Sequence, residues 1–89
     1  MGSYEVRFRA GVRKDLKRIP AEDVARIMER VGALADDPRP PGAEKLSTRE
    51  RYRVRQGGDY RIVYEIEDRV VTVWVVKIGH RRDVYRSSR

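Results

Sequence analysis

The stretch RYRVRQGGDYRIVYEIE, residues 51–67, decides the fold. Side chains alternate faces along a strand, so Arg51, Arg53 and Arg55 share one face while Tyr52 and Val54 take the other. The alternation resumes after Gly57-Gly58, with Arg61, Val63 and Glu65 opposite Tyr60, Ile62, Tyr64 and Ile66. Two glycines between two such runs signal a hairpin, because glycine reaches the positive φ values of tight hairpin turns without strain. Strands are predicted over 51–56 and 59–67, with a turn near Glu67-Asp68 and a third strand over Val70 to Ile78. The hairpin brings Arg61 near Arg53 and Arg55 on the face turned away from the core, in a register that the local pattern leaves open. Guanidinium groups gathered this way repel one another unless an anion sits among them. The same pattern also describes a solvent-facing arginine surface tempered by Glu65 and Glu67.

Upstream of the meander, Tyr4-Glu5-Val6-Arg7-Phe8 alternates as an opening strand does, and Gly11 breaks it. Val12, Leu16 and Ile19 recur at helical spacing until Pro20. A second helix starts around Ala21, with Glu22 and Asp23 in the first turn, where the helix dipole favours negative charge. Val24, Ile27, Met28, Val31, Leu34 and Ala35 form its core-facing stripe. The three prolines of Asp37 to Gly42 allow neither helix nor strand, so this stretch is a connector. The expected fold class is α+β: a single domain over residues 1–89, ordered β-α-α-β-β-β, with an antiparallel sheet packed against an N-terminal helical hairpin.

The composition excludes whole classes of chemistry. The 89 residues contain no cysteine, which removes disulfides, thiolate metal sites and cysteine nucleophiles. A single histidine, His80, leaves no multi-histidine metal site. No metal or other cofactor is expected. No apolar run approaches the ~20 residues that span a bilayer, and the N-terminus lacks a signal-peptide pattern. The expected location is the cytoplasm. Lysine plus arginine is 21 against 14 acidic residues, a net charge of +7. Residues 51–89 hold 10 basic and 5 acidic residues, and nine of the ten are arginine. Arginine grips phosphate bidentately where lysine offers a point charge. A polyanion or an acidic protein partner would be drawn to this half.

The tail reads His80-Arg81-Arg82-Asp83-Val84-Tyr85-Arg86, and following the third strand it would lie at a sheet edge close to the arginine face. Histidine is the side chain best suited to give or take a proton near neutral pH, which makes His80 a candidate for that role. Tyr85 can hydrogen-bond a reacting group or stack on a base. Taken alone, the residues favour the plainer readings, a surface histidine capping the strand end and a tyrosine packing the tail onto the body.

In order along the chain, these segments resemble the RelE/ParE toxin superfamily. The opening Tyr4 to Phe8, the Lys14-Asp15-Leu16 helix and Lys45-Leu46 resemble its first half. Tyr52-Arg53-Val54-Arg55-Gln56-Gly57-Gly58-Asp59-Tyr60-Arg61-Ile62-Val63-Tyr64 is similar to the family's central motif, and Ile78-Gly79-His80-Arg81-Arg82-Asp83-Val84-Tyr85 to its ending. The resemblance covers nearly the whole chain. It implies the toxin of a type II toxin–antitoxin system, and within the RelE branch a metal-independent endoribonuclease that cuts mRNA in the ribosomal A site and so inhibits translation. It implies a cognate antitoxin as partner, with the pair binding its promoter DNA chiefly through the antitoxin.

The implied reaction is attack of the RNA 2′-hydroxyl on the adjacent phosphate. A base takes the 2′ proton, cations stabilise the crowded phosphorane, and an acid protonates the departing 5′ oxygen. Carried over by position, Arg53 and Arg55 fall where RelE toxins place basic catalytic residues, where some members have lysines. Arg61 falls at the arginine that binds the scissile phosphate, and Arg81 and Tyr85 at the tail arginine and tyrosine. Arg61 and Arg81 would stabilise charge, and His80 or Tyr85 would move protons, the general base being left open. Two alternatives stand beside this reading: a ParE-type toxin that poisons DNA gyrase without cutting RNA, and a non-enzymatic nucleic-acid-binding module supported by charge alone.

Overall fold

The computed structural model describes residues 3–46 and 50–87, with side chains as far as Val84. Strand β1 (Glu5–Phe8) leads into helices α1 (Val12–Lys17) and α2 (Ala21–Asp36). Strands β2 (Glu44–Lys45), β3 (Arg51–Gln56), β4 (Tyr60–Glu67) and β5 (Thr72–His80) follow, and helix α3 (Arg81–Ser87) ends the described chain. No helix among the described residues is long and apolar enough to cross a membrane.

The sheet runs β1-β5-β4-β3-β2. The expected meander is present, with β3 antiparallel to β4 and β4 to β5. The sheet as a whole is mixed and not antiparallel throughout, because β1 lies parallel to β5, Glu5 opposite Thr72. After the two helices the chain enters β2 running opposite to β1, and the three antiparallel steps from β2 through β3 and β4 bring β5 back parallel to it. The two-residue β2 was not expected either; it pairs with the outer edge of β3 through Glu44 and Lys45.

Three local readings shift. Gln56 pairs with Tyr60, so the first hairpin loop is Gly57-Gly58-Asp59, with Gly57 at a φ of 64°. Val70 and Val71 are not strand: a turn of 3-10 helix spans Asp68–Val70, and Val71 takes the left-handed conformation. The tail, given no secondary structure by its sequence pattern, is helix α3.

Tyr52, Val54, Ile62, Tyr64, Ile66, Val73, Val75 and Ile78 from one sheet face pack against Val12, Ile27, Val31 and Leu34 from the helices. The α2 stripe is thus largely as its spacing dictates. Met28 is the exception: it is 36% exposed and, with 42%-exposed Phe8, lines an open groove of about 490 Å³ beside α1.

The proline-rich connector is pinned by its arginine. Arg39 donates to the Tyr52 hydroxyl at 3.2 Å, to Glu50 at 2.5 Å and to Asp68 at 2.9 Å. Lys45 also reaches Glu50, at 3.0 Å, and the Tyr4 hydroxyl donates to Asp68 at 2.7 Å. Hydrogen bonds from Arg39, then Lys45, then Tyr52 hold the Glu50 carboxyl down at about 2, against an ordinary 4.5. A group depressed on folding stabilises the native state above its unfolded pKa and loses that contribution as pH falls toward the folded value. The window here is pH 4.5 down to about 2. Glu50→Gln should therefore melt lower than wild type at neutral pH, with the gap closing below pH 4.5. Melting scans from pH 7 to pH 2.5 check this; a gap that stays constant rejects a folded ion pair at Glu50.

Candidate functional site

The second sheet face carries the arginines. Arg51, Arg53 and Arg55 of β3 stand opposite Glu65, Val63 and Arg61 of β4. Those three stand in turn opposite Trp74, Lys77 and Gly79 of β5. The alternation read from the sequence thus does bring Arg53, Arg55 and Arg61 onto one face, away from α1 and α2.

Along this face the charges are balanced at one end and not at the other. Arg51 holds Glu65 through its Nε at 2.9 Å and an Nη at 2.5 Å. The Arg9 guanidinium lies 4.0 Å from Glu65 and 4.0 Å from the centre of the Trp74 ring, whose Nε1 donates to Glu67 at 2.5 Å. Arg53 pairs with Glu44 on β2. At the hairpin end, no described carboxylate pairs with Arg55 or Arg61. Arg55 is exposed and sits directly across from Arg61.

Arg61 is only 4% exposed. Its Nη1 donates to the backbone carbonyls of Gly58, at 3.2 Å, and Tyr60, at 3.0 Å. Its Nε is buried with no hydrogen-bond partner among the described residues. The cover comes from α3. A Cβ on Gly79, the residue beside Arg61, would stand 3.4 Å from Val84 Cγ2, and Val84 is itself buried. So α3 folds back over the arginine face, tied to the hairpin by the Arg81 amide donating to the Asp59 carbonyl at 2.7 Å. Strand alternation placed Arg61 in solvent; a helix invisible to that pattern covers it. Arg81 is exposed in the first turn of α3. Tyr85 belongs to α3, and its side chain lies outside the described residues.

His80 is not on the arginine face. It pairs with Tyr60, one residue past the Arg61–Gly79 pair, and so points to the helix side of the sheet. Its ring meets Tyr60 edge-on, centroids 6.1 Å apart, and Nδ1 accepts the Arg82 amide at 3.3 Å. The expectation that the tail runs along a sheet edge is also revised: β5 lies between β1 and β4, although β1 covers only Thr72 to Val75. Beyond that point Asp15 of α1 takes over the open edge. It accepts the Ile78 amide at 3.1 Å and binds Lys77 at 3.1 Å. The lysine-aspartate pair of the α1 segment and β5 was not visible in the local patterns, since its partners are 62 residues apart. Among the described residues no three His, Cys, Asp or Glu side chains gather to hold a metal ion.

An arrangement of this kind binds anions. Exposed Arg55 and Arg81, with Arg61 beneath, offer planar donors that could grip a phosphate.

The family model for the ParE toxin of type II toxin–antitoxin systems matches residues 6–85. Toxin RelG of Mycobacterium tuberculosis is 34% identical over 88 residues, covering 93% of this chain and 97% of RelG. The toxin–antitoxin complex RelBE2 of M. tuberculosis contains a chain that superposes with a TM-score of 0.78 at 30% identity, over 89% of this chain and 92% of that one. A chain of the archaeal RelE–RelB complex of Pyrococcus horikoshii superposes with a TM-score of 0.75 at 25% identity, over 89% and 96%.

Proposed function

The chain belongs to the RelE/ParE superfamily, the toxins of type II toxin–antitoxin systems, and from that premise we propose that it is a ribosome-dependent mRNA endonuclease of the RelE kind. The observation that carries this reading is the gathering of Arg55, Arg61 and Arg81 at the hairpin end of the sheet, where no described carboxylate pairs with Arg55 or Arg61. It supplies what a phosphorane needs: several cationic donors close to where charge develops. In the reaction the 2′-oxygen forms a bond to phosphorus as the bond to the 5′-oxygen breaks. Arg55 and Arg81 hold the non-bridging oxygens, and Arg61 joins them when α3 shifts to admit the strand. Arg53, engaged with Glu44, sets the field from the next row. Arginine stays protonated and does not serve as the base. His80 faces the other side of the sheet, which leaves Tyr85 as the acid that protonates the departing 5′-oxygen, with the 2′ proton passing to solvent or to a group of the ribosome. Such a thin acid–base set accounts for a need for the ribosome, which would orient the RNA for in-line attack. No metal enters the scheme.

A cognate antitoxin is supported by the relatives bound to RelB. An acidic, amphipathic antitoxin segment would neutralise the arginine face, and the pair would bind promoter DNA through the antitoxin. The single domain over residues 1–89 and a cytoplasmic location belong to the same proposal.

Two observations favour a second reading, gyrase inhibition of the ParE kind. The matching family model is that of ParE, and Arg61 is buried under α3. The test is mRNA cleavage on programmed ribosomes, mapped by primer extension, beside a gyrase supercoiling assay. A-site cuts that need the ribosome, with supercoiling untouched, are expected. Blocked supercoiling without cuts would move the assignment to gyrase.

A further inference from the structure

On the helix side of the sheet, behind the arginine cluster, lies a cleft of about 310 Å³ that the proposed reaction does not use. Its floor is Ile19 and Ile78, and Arg18 at the end of α1 and Arg82 at the start of α3 flank it. Its acidic and hydroxyl groups are already committed. Both Asp15 oxygens are taken, by Lys77 and by the Ile78 amide. The Tyr60 hydroxyl donates to Asp23 at 3.3 Å, and burial first, then the Asp23 charge, pushes its pKa up, so it stays a protonated donor. His80 Nδ1 accepts the Arg82 amide, which puts the proton of the neutral ring on Nε2. Asp83 is engaged as well. The uncommitted polar groups are then the Arg18 and Arg82 guanidinium groups and the His80 Nε2–H, all donors. Neither arginine forms an ion pair among the described residues. With the Asp15 and Asp83 carboxylates engaged elsewhere, the side chains left open over the apolar floor are donors, and guanidinium forks of this kind grip phosphate.

We infer that this cleft is a second phosphate site, taking a phosphodiester of the RNA strand next to the one held by the arginine cluster. The inference rests on the RNA-cleaving reading above. The two sites lie on opposite faces of the same sheet end, since Gly79 faces Arg61 and His80 faces Tyr60. The first turn of α3, carrying Arg81 and Arg82, stands between them. A strand bound at both would bend around that turn. This would present the scissile linkage at the bend, away from stacked geometry.

The test uses the full chain and a short 2′-O-methyl RNA that cannot be cleaved, with binding followed by fluorescence anisotropy across a salt series. Arg18→Gln/Arg82→Gln is expected to weaken binding roughly tenfold and to flatten the log Kd against log salt slope by about 0.7, the share of one single-strand phosphate. Arg18→Lys/Arg82→Lys, which keeps the charges, should keep the slope. Arg18 and Arg82 are exposed, so melting temperatures should match wild type and exclude a folding defect. Wild-type affinity and slope in the glutamine variant, with binding lost in Arg61→Ala, would overturn the second site and leave the arginine cluster standing. Failure of the wild type itself to bind the RNA would overturn this site, while the cleavage assay on programmed ribosomes decides the RNA reading separately. Inorganic phosphate distinguishes the source: if it shifts the His80 and Gly79 amide resonances at submillimolar concentration while RNA affinity ignores Arg18 and Arg82, the cleft serves a free phosphate and the inference is wrong.

Discussion

Arg61→Ala is expected to lower A-site cleavage by roughly 10²- to 10³-fold, the usual loss when one fixed donor to a developing oxyanion is removed. The difficulty is that Arg61 also holds the fold. It is buried, it donates to two carbonyls of the β3–β4 hairpin, and it lies beneath α3. The alanine variant leaves those carbonyls and the space unfilled, and is expected to lose about 1–3 kcal/mol of stability as well. Arg61→Lys separates the two roles. Lysine keeps length and charge but has no fork, so it should melt near wild type while cutting roughly tenfold more slowly or worse. Cleavage by both variants at the wild-type rate, on ribosomes and with folding verified by circular dichroism, would remove Arg61 from the chemistry. Loss of cleavage only in step with loss of melting temperature would make it a structural arginine.

That dual role shows where reading the chain works and where it stops. Alternation in Arg51 to Gln56 and Tyr60 to Glu67 settles which arginines share a face, because strand period is a local property and the Gly-Gly loop joins neighbours. What lies over a face is not local. Helix α3 has one buried apolar anchor among its described side chains, Val84, too little to show as a helical stripe in a segment of mostly charged residues. The burial of Arg61 was therefore out of reach. The parallel pairing of β1 with β5 was hidden for the same reason: its partners, Glu5 and Thr72, are far apart in sequence, and nothing in either tetrapeptide names the other. His80 was legible in part. Its position next to Gly79 already fixes it to the face opposite Arg61 once Arg61 is known to pair with Gly79, but that register comes only from the sheet. Arg39 in the proline-rich connector gave no signal at all; its three acidic and phenolic partners come from β3, its approach and the β4–β5 turn.

Tyr64→Ala is expected to be the most damaging single change to the fold, and to leave any surviving chemistry intact. The side chain has no solvent exposure, stacks on Tyr52 with ring centroids 5.9 Å apart, and donates from its hydroxyl to the Pro38 carbonyl at 2.6 Å. Burial pushes its pKa up to about 12, so the hydroxyl remains a donor throughout the working pH range. Truncating a buried aromatic ring costs about 3–5 kcal/mol, against a total of about 5–15 kcal/mol for a domain of ordinary stability. Tyr64→Phe keeps the ring and strands only the Pro38 carbonyl, so about 1 kcal/mol is expected, or a fall of about 4–8 °C in Tm for a chain of this size. The pair of variants measures how firmly the connector is fastened to the sheet. Tyr64 sits on the core face, with Arg61 on the other, so Tyr64→Phe should cut mRNA at the wild-type rate below its melting temperature. A Tyr64→Phe variant that melts with wild type would show that the connector is held by the Arg39 ion pairs alone. One that folds but cuts slowly would mean that the two sheet faces are coupled, and that strain at the connector reaches the arginines through β4 itself.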